Sequence, residues 1–146
     1  MSEGGEYVRW AEDHDLDTAL ELYSRLEDFV RMEGPFQGII GFSESAGVGA
    51  SLLAHQEARL AAGLESPFAF SCGVFFCSAT PVEVNAMQQG LLQSARGKAS
   101  IMSPTVHVWD PNDTVHPGFG YGLRTLCNDA ASEQYVHELS HVVPGT

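Results

Sequence analysis

Short segments with strand character alternate along the chain with longer segments of helical character, and this alternation limits the fold more than any other feature. The segments expected to form strands are residues 36–42, 68–77, 104–109 and 134–139. The first two are continuous apolar runs, which is typical of parallel strands that are covered on both faces. Strands that alternate with helices predict an α/β fold in three layers, with a mostly parallel sheet of about four strands flanked by helices.

The helical segments follow from the spacing of apolar residues. We expect helices at residues 17–33 and 46–64. Residues 81–98 have weak periodicity and are expected to be helical or irregular, and a helix at 119–127 is weakened by Gly118, Gly120 and Gly122. In the first, Asp15 or Asp17 can cap the start, and Gly34-Pro35 ends the helix. Residues 1–14 are expected to be irregular. A chain of 146 residues predicts one domain, residues 1–146.

The charge of the chain excludes several classes of partner. Seven Lys and Arg stand against 19 Asp and Glu, a net charge of −12, so we expect neither nucleic acid nor an anionic membrane as a partner. No apolar stretch reaches the ~20 residues of a membrane span, and the first residues do not resemble a signal peptide. The three cysteines have no paired spacing. We expect them to be reduced, which predicts a cytoplasmic protein.

A candidate nucleophile lies where the first strand meets the second helix. The stretch Gly41-Phe42-Ser43-Glu44-Ser45 is close to the pattern G-x-S-x-G, in which a sharp strand-to-helix turn exposes a serine hydroxyl above the sheet. The helix start would then supply the backbone N–H of Glu44 as an oxyanion donor. Ser45 stands where the pattern has its second glycine. The alternative is that Ser43 only caps a helix.

A serine nucleophile needs a base, and the base needs an orienting acid, in the chain order serine, acid, histidine. Asp113 follows the third predicted strand and His141 follows the fourth. Parallel strands bring such residues to one edge of the sheet. Asp110 is better suited to closing the turn, and His116 is expected at most to flank the site. Asp113 as a turn residue and His141 as a surface histidine remain the alternatives. The scattered histidines predict no metal site, and we expect no cofactor.

Three motifs in order resemble the fungal-type family of serine hydrolases (FSH), a branch of the α/β-hydrolases. They are residues 34–43 (GPFQGIIGFS), residues 104–109 (PTVHVW) followed by Asp113 and Pro117, and residues 137–144 (HELSHVVP). The resemblance implies that Ser43, Asp113 and His141 are catalytic. It also implies hydrolysis of a small ester or acyl thioester, and some fungal members release acyl chains in polyketide biosynthesis.

The chain also departs from the family pattern. Ser45, Asp110 and the pair Leu139-Ser140 stand where the family has glycines. The family's leading strand, whose loop supplies a second oxyanion donor, is expected to be missing. Its absence would leave the edge of strand 36–42 open to a second copy or a partner chain. The alternative function is therefore a truncated, weak or inactive relative that acts as a binding, accessory or self-associating protein.

Overall fold

The computed structural model describes residues 15–97 and 100–145, so the expectation for residues 1–14 lies outside the described part. The elements in chain order are α1 (Leu16–Glu33), β1 (Gly38–Phe42), α2 (Glu44–Ala61), β2 (Cys72–Phe76), α3 (Val84–Gln88), β3 (Thr105–Trp109), α4 (Tyr121–Leu126), a 3-10 turn (Asp129–Ala131) and β4 (Ser132–Val136). Within these ranges, no helix is long and apolar enough to cross a membrane.

The four strands form one parallel sheet in the order β1-β2-β3-β4. Phe42 pairs with Phe76, Phe76 with Val108, and Trp109 with Val136. All four strands therefore end at the same edge of the sheet. The predicted α/β fold with a parallel sheet flanked by helices is confirmed.

Helix α2 forms the centre of the hydrophobic core. Its residues Ala46, Ala50 and Leu53 are fully buried, and its Gly49 lies close enough to Ile39 of β1 that an added Cβ would come within 3.0 Å of Cδ1. Small residues on one face thus let the helix lie directly on the strand that precedes it. This close contact fixes the position of the turn between β1 and α2.

Helix α1 covers the same core from outside. Asp15 caps its start, because the Oδ1 atom accepts a hydrogen bond from the N–H of Asp17 at 3.1 Å. Ala19, Tyr23 and Val30 are buried at helical spacing, as the sequence predicts.

All four predicted strands differ from the observed ones in their bounds, and the second and fourth differ most. Residues 68–71 do not belong to β2, and at Phe70 the reason is that the side chain of Gln56 binds its backbone through both the amide oxygen (2.9 Å) and the amide nitrogen (2.7 Å). These bonds use the backbone groups that a neighbouring strand would need. The fourth strand is Ser132–Val136 rather than 134–139. It is mostly exposed, so burial leaves little apolar pattern to mark its ends.

Two predicted helices are shorter than expected. Only Val84–Gln88 is helical within residues 81–97, and the helix is followed by Gly90 with a φ of 87°. Helix α4 occupies Tyr121–Leu126 and begins after Gly120, whose φ is 89°. Gly90 and Gly120 therefore mark turns that bound these helices, whereas Gly122 lies inside α4.

Candidate active site

Ser43 lies in a strained turn between β1 and α2, called the elbow below. Its φ of 58° and ψ of −123° are uncommon for any residue with a Cβ. The turn is held on both sides: the N–H of Ser43 donates to the carbonyl of Phe76 (2.9 Å), and the N–H of Ala79 donates to the carbonyl of Ser43 (3.1 Å). The backbone around Ser43 is therefore fixed to the ends of both β1 and β2.

The elbow requires a glycine at position 41. A Cβ there would lie 2.5 Å from the Cα of Ala46 and 2.8 Å from the carbonyl oxygen of Ser45, both backbone atoms. Ser45, which stands at the second glycine position of the motif, is exposed and turns its Oγ back to the carbonyl of Phe42 at 2.7 Å. The departure at position 45 is thus accommodated without a steric clash within the turn.

The structure brings Ser43, His141 and Asp113 into one chain of hydrogen bonds. Ser43 Oγ lies 2.8 Å from His141 Nε2, and His141 Nδ1 lies 2.7 Å from Asp113 Oδ2. The side chains of His141 and Asp113 are only 8% and 3% exposed. A hydroxyl, an imidazole and a carboxylate in this order can transfer a proton away from the serine oxygen.

The environment of Asp113 keeps its carboxylate charged. Its Oδ1 accepts hydrogen bonds from the N–H groups of Val115 (2.8 Å) and His116 (3.0 Å) and from the hydroxyl of Ser140 (3.1 Å). Burial raises the pKa of Asp113, but these bonds and the one to His141 outweigh it and lower the pKa to about 2. The other oxygen, Oδ2, is left to orient His141.

Asp110 and Ser140 form a second link that the sequence did not predict. Asp110 Oδ1 accepts from the N–H of Asn112 (2.8 Å), as expected for a turn residue, while Oδ2 accepts from the N–H of Ser140 (2.7 Å). This bond fixes the segment that carries His141 to the end of β3. The contact uses the backbone N–H of residue 140, which almost any residue supplies, so the side chain at this position does not signal it.

Aromatic rings surround His141. The ring centroids of Phe42, His116 and Phe119 lie 5.1, 4.4 and 5.7 Å from that of His141. His116 therefore flanks the site, which is the most that the sequence led us to expect of it. His107, by contrast, is 2% exposed and bonds to Thr105 within the core.

The N-terminal end of α2 starts directly at the elbow. The first N–H groups of a helix have no partner within the helix, and the side chain of Ser43 does not cap them. The N–H of Glu44 is the first of these groups. It remains the predicted oxyanion donor.

Cys77 lies behind the hydrogen-bonded chain, at the end of β2. The sulfur of Cys77, a carboxylate oxygen of Asp113 and a ring nitrogen of His141 all lie within 4.8 Å of one another. Burial, and secondarily the charge of Asp113, raises the pKa of the Cys77 thiol, so it is poorly suited to act as a nucleophile. No pattern in the sequence indicates that these three side chains meet.

Comparisons with known proteins identify a family and a shared fold. Residues 2–146 match the model of the family described as serine hydrolase (FSH1). The chain is 26% identical over 145 residues to the esterase FPY3 of Fusarium mangiferae, covering 95% of this chain and 62% of the relative. The solved structure of YahD with malic acid is similar in fold, with a TM-score of 0.55, 18% identity, and coverage of 91% of this chain and 60% of YahD. The chain thus spans about three fifths of the length of these proteins.

Proposed function

Since the chain belongs to the serine hydrolase (FSH1) family, we propose that it cleaves a small ester or acyl thioester through an acyl-Ser43 intermediate. The observation that carries this proposal is the pair of short contacts from Ser43 through His141 to Asp113, 2.8 and 2.7 Å. The relative named an esterase supports an ester as substrate. Thioester cleavage and a role in polyketide biosynthesis rest on the motif resemblance.

In the proposed mechanism, His141 Nε2 takes the proton of Ser43 Oγ while that oxygen attacks the substrate carbonyl. Asp113 keeps the other proton of the ring on Nδ1 and stabilises the imidazolium that forms. The N–H of Glu44 donates to the developing oxyanion. His141 then protonates the leaving alcohol or thiol, and the same base activates a water molecule that releases the acid. No step requires a metal or a cofactor.

The three cysteines, which form no disulfide in the structure, are consistent with a reducing compartment, and we propose a cytoplasmic location on that basis. Immunodetection of the chain in fractionated cells of its source tests the location.

A fluorophosphonate probe tests the chemistry directly. The wild-type chain should be labelled at Ser43, and Ser43→Ala should abolish the labelling. Ser45→Ala is the matched control, because it removes a hydroxyl from the same turn without touching His141. A folded wild-type chain that the probe does not label, or labelling that survives Ser43→Ala, would refute the proposal.

The edge of β1 favours a second function, that of a self-associating or accessory protein. Among the described strands β1 pairs only with β2, and Ile40 is 76% exposed beside Phe42 at 37%. An open, apolar strand edge can pair with a strand of a second copy or of a partner chain. Size-exclusion chromatography should then show an oligomer that Ile40→Lys dissociates. A wild-type chain that elutes as a 15.7 kDa monomer would exclude self-association.

A further inference from the structure

Three metal-binding atoms of different chemistry lie close together where Asp113 contacts His141. They are the Cys77 sulfur, an Asp113 carboxylate oxygen and a His141 ring nitrogen. Cys77 and Asp113 are buried, at 1% and 5% exposed. The thiol lies 3.6 Å from the carbonyl of Val142, beneath the C-terminal segment 138–145, which has no regular secondary structure and is mostly exposed.

We propose that Cys77, Asp113 and His141 form an inhibitory binding site for a thiophilic divalent cation, Zn²⁺ or Cd²⁺. Sulfur, imidazole nitrogen and carboxylate oxygen are the ligands that zinc takes in proteins, at about 2.0–2.3 Å. A thiolate and a carboxylate balance the charge of a divalent ion, with neutral imidazole as the third ligand. Water or the carbonyl of Val142 can complete a tetrahedral set.

The site needs only a small rearrangement to form. Ligand atoms that now lie within 4.8 Å of one another must close around one ion, while the direct contact between His141 Nδ1 and Asp113 Oδ2 at 2.7 Å must open to admit it. The C-terminal segment that carries His141 lies on the surface, so the ion can enter from that side. The negative net charge of the chain, −12, raises the local concentration of cations.

Metal binding should inhibit the reaction because it changes which ring nitrogen of His141 carries the proton. This step rests on the proposed hydrolase function. Cys77 releases its thiol proton to solvent when the sulfur binds the ion. The neutral ring carries a single proton, and this proton moves from Nδ1 to Nε2 through solvent when the lone pair of Nδ1 coordinates the ion. Nε2 becomes a donor toward Ser43, and no base remains to accept the hydroxyl proton. The metal-bound protein is therefore expected to be folded but inactive.

The experiment uses the reduced, chelator-treated chain with cadmium chloride and, in parallel, zinc chloride. Binding of cadmium is followed by the ultraviolet charge-transfer band of the cadmium–thiolate bond, which does not depend on any enzymatic activity. The rate of fluorophosphonate labelling is measured in the same samples. Cys77→Ala and the near-isosteric Cys77→Ser remove the sulfur, while Cys127→Ala, at a buried cysteine elsewhere in the fold, and Cys72→Ala, at an exposed one, are the matched controls.

We expect one cadmium–thiolate band per chain that both Cys77 variants lose and both control variants keep. Cadmium should slow labelling of the wild-type chain and of the controls by more than about tenfold. It should leave labelling of the folded Cys77 variants nearly unchanged, because loss of a ligand weakens metal binding at least as much as loss of an outer-shell partner. A band that persists without Cys77, or labelling that continues while cadmium occupies Cys77, would overturn the inference. A metal-free wild-type chain that is never labelled would instead count against the hydrolase function, and the band would still report the site.

Discussion

Replacing Gly41 by alanine should disrupt the elbow more than any other one-atom change on β1. The added Cβ would lie 2.5 Å from the Cα and 2.7 Å from the backbone nitrogen of Ala46. Neither atom can rotate away, because Ala46 is fully buried in the first turn of α2. The helix start must therefore shift, and Ser43 must shift with it.

The size of the effect follows from the geometry. Overpacking against side chains costs about 1–3 kcal/mol, and a clash with the backbone of a buried helix belongs at the upper end of that range or beyond. For a chain of this length, 1 kcal/mol corresponds to roughly 3–5 °C in Tm. Gly38→Ala is the matched control, since its Cβ would meet only the sulfur of Cys72 at an ordinary 3.5 Å.

Thermal unfolding followed by circular dichroism, together with the rate of fluorophosphonate labelling, measures both consequences. Gly41→Ala should lower the Tm by about 9 °C or more and also slow labelling at temperatures where the protein remains folded. Gly38→Ala should change neither quantity appreciably. If Gly41→Ala unfolds within a degree of the wild type and is labelled at the same rate, the steric account of the elbow is wrong.

Three further predictions concern the site and the core. Asp113→Asn should retain the fold but slow labelling by up to about 10⁴-fold, because an asparagine does not hold the required tautomer of His141; an unchanged rate would show that Asp113 does not orient the base. Gln56→Met should lower the free energy of unfolding in urea by about 2–5 kcal/mol, since it leaves both the N–H and the carbonyl of Phe70 unpaired in the core; a change below 1 kcal/mol on this scale would contradict the assigned hydrogen bonds. Burial, and secondarily Arg124, lowers the pKa of His107 from 6.5 to about 4, so the neutral ring favours the folded state above pH 6.5 and this contribution, at most about 3 kcal/mol, is lost as the pH falls toward 4. His107→Gln should make the acid side of the stability profile shallower, and an unaltered slope would show that another group controls it.

The convergence of the candidate site could be expected from the sequence because a parallel sheet places the ends of its strands along one edge. Ser43, Asp113 and His141 each follow a predicted strand, and register then brings them to the same edge. The catalytic roles of the three residues stay a prediction. What the sequence could not supply is the exact reach of each loop, since hydrogen bonds between distant residues set it.

Hydrogen bonds between distant residues also explain why a predicted strand end was misplaced. The side chain of Gln56, fourteen positions before Phe70, occupies both backbone groups of Phe70, and no local sequence pattern records such bonds. Likewise, β4 lies at an exposed edge, where solvent imposes little selection for apolar residues. Core elements such as α2 were correctly identified, because burial there requires small or apolar side chains that leave a clear pattern in the sequence.

Backbone strain is concentrated at the edge of the sheet where the site lies. Within the described residues, the non-glycine residues with positive φ are Ser43 (58°), Cys77 (45°) and Ser140 (58°). Such conformations cost on the order of 1–3 kcal/mol each and persist only where the surroundings enforce them. Each is enforced by a bond from its own N–H: to the carbonyl of Phe76, to the carbonyl of Val108 and to the carboxylate of Asp110, respectively. Sheet pairing and one buried acid therefore hold the serine, the thiol and the segment that carries His141 in conformations that none of them would adopt alone. Because the position of Ser43 depends on these surrounding bonds, a clash at Gly41 that shifts the start of α2 should also displace the Ser43 hydroxyl.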